Sequence, residues 1–307
     1  MTVPAGTVAR RDAVFVVGMG RSGSSALARI LNLCGGELPR ELLPPNFANP
    51  RGYWEPLRAL ALNDEFLEAH GSSWYDGSLA LQIGRVGAAE RGVFAAAIAG
   101  FFAAEYGGAR AAVVKEPRIS ALLPYWIEGA RGAGRAAMFV HVLRDPRAVA
   151  ASLAERDGLS ADHAYALWLK YNLIAERDTR GAPRAFVRFD DLLDDWERTV
   201  TGCVDRLPLR VRIDDAVREA AASFLSPELM HHRGDPAGSA APCAPDLAAW
   251  AARTWHALHA ARNAGPDQDE LDAVLDAYVR SRVPLEYRLQ SAIGARPPAP
   301  PQFPRPR

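Results

Sequence analysis

The apolar run Ala13-Val-Phe-Val-Val17 is followed by the glycine loop Gly18-Met-Gly-Arg-Ser-Gly-Ser-Ser25. Leu27, Ile30, Leu31 and Cys34 then recur at helical spacing. This opening constrains the chain to strand, tight loop, helix. The same order returns later. Ala111-Ala-Val-Val114 leads into Lys115-Glu-Pro-Arg118, and Ala136–Leu143 leads into Arg144-Asp-Pro-Arg147. A fourth short strand is predicted over 185–189. Helices are predicted over 57–67 and 88–106, from Pro146 behind an Asp145 cap, and behind a Ser160 cap. The last of these carries Ala164, Leu167, Trp168, Tyr171 and Ile174 on one face. The stretch from 200 to 282 reads as mostly helical, most clearly at Leu247, Trp250, Ala251, Trp255 and Leu258. Strands that are apolar throughout and alternate with helices predict an α/β fold. Its sheet is central, mostly parallel and flanked by helices in three layers.

Composition narrows the function. The 36 basic residues balance 36 acidic ones, which argues against a nucleic-acid-coating protein. Cys34, Cys203 and Cys243 form neither a disulfide framework nor a zinc pattern. The longest apolar run, 93–104, is shorter than the ~20 residues of a membrane span. No signal-peptide pattern opens the chain, so the expectation is a soluble, reduced, cytoplasmic protein. Residues 1–294 read as a single domain. Residues 295–307, with six prolines, read as a disordered tail that includes a Pro-X-X-Pro spacing at 298–301.

All three motifs fall just past strand ends, where ligands bind in such sheets. Gly18 to Ser25 is nearly a phosphate-binding P-loop. Its glycines let backbone N–H groups turn toward an anion at a helix start. The lysine of that motif is missing, because position 24 is serine. Without it, turnover of a metal-bound triphosphate is disfavoured. A cation stands inside the loop instead, at Arg21. The reading is therefore a P-loop NTPase-like fold holding an anion smaller than magnesium ATP. Gly18-x-Gly20-x-x-Gly23 also fits a dinucleotide fingerprint, but neither Glu37 nor Glu41 follows a convincing second strand. Arg144 and Ser152, about two helical turns apart, form a second candidate anion site, with Arg147 adding charge nearby. The plain alternative pairs an arginine with Asp145.

Together these segments resemble those of sulfotransferases. Gly18-Met-Gly-Arg-Ser-Gly-Ser-Ser25 looks like the family's 5′-phosphosulfate loop. Leu143-Arg-Asp-Pro-Arg-Ala-Val-Ala-Ala-Ser152 resembles its 3′-phosphate motif. Val113-Val-Lys-Glu-Pro-Arg118 is similar to a Lys-Asp-Pro-Arg segment of bacterial members. Arg188-Phe-Asp-Asp-Leu-Leu193 resembles their Tyr-Glu-Asp-Leu segment. The resemblance implies sulfuryl transfer from 3′-phosphoadenosine 5′-phosphosulfate (PAPS), without a metal, to an acceptor hydroxyl by in-line displacement. It implies that Gly20, Arg21, Ser22, Gly23, Ser24 and Ser25 hold the 5′ end of the donor. Arg144 and Ser152 would hold its 3′-phosphate. Arg21 would neutralise the bridging oxygen as the sulfuryl group departs. Residues 35–110 would form much of the cleft for a small-molecule or carbohydrate acceptor, and 200–282 would close it. The rival activity is a nucleotide kinase or another P-loop nucleotide-binding protein.

The acceptor hydroxyl loses a proton as it attacks, so a base is expected. The histidine that cytosolic eukaryotic members place after the second strand is absent; Pro117 stands there. Bacterial and carbohydrate-acting members instead place a glutamate after the P-loop helix, so the resemblance points first to Glu55, in Gly52-Tyr-Trp-Glu-Pro56, and then to Glu41 and Glu116. The plain reading of Glu55 is a surface or helix-capping carboxylate ahead of the helix over 57–67. Lys115 is expected to hold sulfuryl oxygens, or else to pair with a carboxylate. Arg118 can do either. His141 reads as a core histidine. His256 and His259 read as facing solvent or a neighbouring helix, and His231-His232 lacks companions for zinc. Trp54, Trp74 and Tyr75 read equally as acceptor-pocket walls or core anchors.

Overall fold

The computed structural model describes residues 10–46, 49–225 and 243–281. In chain order the first elements are β1 (Asp12–Val17), α1 (Ser24–Leu33), α2 (Leu57–Ala69), α3 (Ala80–Ile83) and α4 (Ala88–Tyr106). β2 (Ala111–Lys115), a 3-10 turn (Pro117–Ala121), α5 (Leu123–Gly132) and β3 (Ala136–Leu143) follow. Next come α6 (Pro146–Asp157), α7 (Ala161–Asp178), β4 (Arg184–Arg188), α8 (Phe189–Asp194) and α9 (Trp196–Val204). The last are α10 (Asp215–Phe224), α11 (Pro245–Ala264) and α12 (Gln268–Arg280). The fourth strand ends one residue earlier than its sequence pattern predicts, because Phe189 turns into α8. His231-His232 and the tail 295–307 lie outside the described residues.

The four strands lie parallel in the order β2-β1-β3-β4. β1 is apolar throughout because both its faces are covered. Val14 and Val16 pack with Ala26, Leu27 and Leu31 of α1. Ala13, Phe15 and Val17 face the opposite layer, with Ile98 and Phe102 of α4 and Trp126 of α5. There Phe15 stacks on Phe139 at 5.6 Å and meets Phe102 and Trp126 edge-on, each at 6.2 Å. Burying each such ring contributes about 1.5–3 kcal/mol.

The connections from β1 and β3 diverge. β1 leads toward β2, whereas β3 leads toward β4 on the other side. The crevice of a doubly wound sheet opens at that divergence, above the carboxyl ends of the two strands. The glycine loop follows one strand and Arg144 follows the other.

His141 lies in β3, buried, with Nε2 2.9 Å from Thr179 Oγ1 and its ring stacked on Phe186. Burial, with Arg184 nearby, pulls its pKa from 6.5 down to about 3. The unfolded chain therefore binds a proton that the native state refuses. Stability is full above the unfolded value and declines as pH falls from about 6.5 toward 3. His141→Phe is expected to flatten this acid-side decline, read as melting temperature against pH. An unchanged slope would assign acid sensitivity to other groups.

Candidate active site

The loop after β1 folds by conformations that its glycines permit. Gly18 sits at φ 125°, and a Cβ there would meet the Val142 carbonyl oxygen at 2.6 Å. Gly23 sits at φ 89°, and its Cβ would lie 2.0 Å from Phe189 Cδ2. Gly20 has room, its nearest neighbour being Pro117 Cγ at 3.7 Å. Gly23→Ala is therefore expected to lower the melting temperature by about 5 °C, from strain plus displacement of Phe189. Gly20→Ala should leave it unchanged, and equal melts would refute this account. Gly18 is also tied to the turn after β2, its N–H donating to Ser120 Oγ at 2.9 Å. α1 then begins with no side-chain cap and no acidic residue in its first turn. Its positive end is thus not compensated by its own residues. Ser22 Oγ is buried without a hydrogen-bond partner.

The two predicted anion motifs meet. Arg21 Nε donates to Ser152 Oγ at 2.9 Å across 131 residues. Arg144 donates to the Arg21 carbonyl at 2.9 Å, and its guanidinium lies 5.1 Å from the Phe189 ring centre. Burial, then Arg156 and Arg144, push the Arg21 pKa down to about 10. Burial likewise lowers that of Arg144, against Asp190 and Asp145. A part-buried cation depressed by neighbouring cations, as Arg21 is by Arg156 and Arg144, favours a bound anion. Arg147 does not join them. It pairs with Asp145 through Nε at 3.0 Å and a terminal nitrogen at 2.7 Å. That is the plain alternative the sequence offered, an arginine paired with Asp145 at the α6 cap.

The third motif brings Lys115 beneath the loop. Lys115, 3% exposed, pairs with Glu55, 6% exposed. Its ammonium also donates to Ser25 Oγ and the Tyr53 carbonyl, each at 3.3 Å. Of the carboxylates the sequence offered as its partner, Lys115 pairs with Glu55. Glu116 is fully buried, accepting from Asn63 Nδ2 at 2.6 Å and from Arg118. Burial raises its pKa, Arg118 opposes this and Glu55 adds to it. Arg118 also pairs with Asp64 at 2.6 Å. Glu41 is exposed, its N–H beside Glu105, and its carbonyl accepts from Leu57.

The aromatics divide. The Trp54 ring meets Arg29 and Phe224, on the α1 and α10 side. Trp74 lies 3.8 Å from where a Gly20 Cβ would stand, flanked by the guanidinium groups of Arg118 and Arg156. A separate cavity of about 670 Å³ runs along β4 and α9, lined by Val187, Asp191, Glu197 and Arg206. None of residues 18–25, 115–118 and 144–147 lines it.

A family model described as the sulfotransferase family matches residues 13–212, well over half the chain and all three motifs. The chain belongs to the sulfotransferase family. Among solved structures it is similar to the sulfotransferase STF1 from Mycobacterium tuberculosis H37Rv. That likeness has 15% identity and a TM-score of 0.42, covering 70% of this chain and 71% of the other. It is also similar to the sulfotransferase domain of the Synechococcus PCC 7002 olefin synthase. Here the identity is 17% and the TM-score 0.44, covering 92% of this chain and 99% of that domain. No curated relative matches the sequence.

In this sulfotransferase the sequence offered Trp74 and Tyr75 as pocket walls or core anchors but did not show what holds their loop. Four successive carbonyls there are each met by a separate side chain. Tyr171 Oη donates to Trp74 O at 3.1 Å, and His163 Nε2 lies 2.5 Å from Tyr75 O. Lys170 Nζ donates to Asp76 O at 2.6 Å and Tyr278 Oη to Gly77 O at 2.7 Å. Burial lowers the Lys170 pKa to about 8, with Asp76 opposing. A signal was present: Lys115 and Lys170 are the only lysines beside 34 arginines, and both are buried.

Proposed function

We propose that this sulfotransferase takes its sulfuryl group from PAPS and delivers it to an acceptor hydroxyl by in-line displacement. One observation carries the reading: Arg21, Ser152 and Arg144 form one part-buried cationic cluster joining the glycine loop to the α6 motif. A donor with a phosphosulfate at one end and a phosphate at the other matches two linked anion sites. The lack of a lysine at position 24 disfavours a metal-bound triphosphate. The residues fit such a donor. Ser22 has an unpaired hydroxyl, the α1 N-terminus is uncapped, and Gly20 leaves the loop open.

In this reading Ser22, Gly23, Ser24 and Ser25, with the loop's backbone N–H groups, hold the 5′ end, and Arg144 and Ser152 hold the 3′-phosphate. The donor supplies the sulfuryl group and a nucleotide leaving group. Arg21 stabilises the charge that grows on the leaving oxygen. Lys115 orients the reacting end. Glu55 takes the acceptor proton, and its burial beside Lys115 excludes bulk water. Residues 35–110 supply the acceptor cleft, with Trp74 and Tyr75 near its rim.

Calorimetric titration with 3′,5′-adenosine bisphosphate and with magnesium ATP tests the donor. Tight bisphosphate binding with weak ATP binding is the expected result. Preference for magnesium ATP would replace this reading with a nucleotide kinase.

A further inference from the structure

Two described residues other than glycine hold their backbone in the left-handed region, Arg21 at φ 67° and Trp54 at φ 57°. A side chain with a Cβ resists that region, so it persists where the surroundings impose it, often at sites. Arg21 belongs to the glycine loop. Trp54 immediately precedes Glu55.

The chain converges around Trp54. The Tyr53 carbonyl accepts from Lys115 Nζ at 3.3 Å and from Ser25 Oγ at 3.1 Å. The Glu55 carboxylate, two residues on, pairs with the same ammonium. In an extended run, carbonyls lie along the strand's edges while side chains stand across it. A turn at position 54 lets both groups reach one nitrogen. The indole departs the other way. Arg29 lies 4.7 Å over it and the Phe224 ring meets it edge-on at 6.0 Å. Beyond the turn, the Leu43 N–H donates to the Glu55 carbonyl at 2.8 Å.

We propose that Trp54 is a positioning residue whose left-handed backbone aims Glu55 at Lys115, with its indole anchoring the turn between Arg29 and Phe224. Its catalytic meaning rests on the Glu55 reading above; its geometry does not.

The test compares Trp54→Gly with Trp54→Val in the full chain. Both remove the indole. Glycine takes positive φ freely and β-branched valine resists it. Because the sequence holds two lysines, mapping the sites of an amine-directed acylating reagent reports Lys115 directly. The valine variant should acylate Lys115 several-fold faster than the glycine variant. Its kcat should fall about 100-fold below that of the glycine variant, with equal affinity for 3′,5′-adenosine bisphosphate. Equal acylation in the two variants overturns the proposal. Should valine prevent folding, Trp54→Asn against Trp54→Ala makes the same comparison, asparagine tolerating the left-handed region better. If Glu55→Gln turns over normally while the acylation difference persists, the base assignment fails and the positioning role stands.

Discussion

Glu55→Gln is expected to lower kcat by about a hundredfold to ten-thousandfold, the range for a positioned general base. The amide keeps the shape of the side chain and can still accept from Lys115, but it cannot take a proton. Bisphosphate affinity should be unchanged, because the proposed reading sets Glu55 at the acceptor side and leaves the nucleotide to Arg144 and Ser152. That split separates catalysis from folding. The ion pair complicates the variant, since Lys115 is buried and loses its counter-charge. Lys115 keeps the Tyr53 carbonyl and Ser25 hydroxyl, so the fold should survive. Unchanged kcat would remove Glu55 from the chemistry. Glu116 is a poor substitute, being fully buried and held by Asn63 and Arg118.

Arg144→Ala should weaken 3′,5′-adenosine bisphosphate binding about 10- to 100-fold, as expected for losing a charge-assisted hydrogen bond of about 1.5–3 kcal/mol. The substitution also frees the Arg21 carbonyl and uncovers Phe189, so the loop itself loosens. Arg147→Ala is the internal control. It stands three residues away with the same charge, but Asp145 occupies its guanidinium. Its effect on affinity should stay within about twofold, as for an exposed ion pair. Equal losses in the two variants would mean that general positive potential, and not placement, holds the donor.

Much of this was legible because it was local. β1, the glycine loop and α1 are contiguous, and each reports its own periodicity and turn chemistry. The Asp145 and Ser160 caps were readable for the same reason. What the sequence concealed were pairings across long separations. Arg21 with Ser152, Lys115 with Glu55 and Lys170 with Asp76 join segments 131, 60 and 94 residues apart. No periodicity encodes those. Arg147 illustrates the converse: its charge and a partner in Asp145 were both readable, because the pair is two residues apart. The backbone at Trp54 was equally hidden, since tryptophan is not a residue from which a left-handed turn is read.

The strand order also sets a timetable. β1 pairs with Ala111 and Ala136 through Asp12, partners 99 and 124 positions further along the chain. At about 5–20 residues per second of synthesis, the strand destined for the centre of the sheet waits at least about 5 seconds for its first neighbour. Until then its backbone edges are unpaired, and Phe15, covered in the fold by Ile98, Phe102 and Trp126, lacks that cover. Assembly of this sheet is therefore a late and non-local event, slow by topology and most exposed to aggregation while the nascent chain is half made.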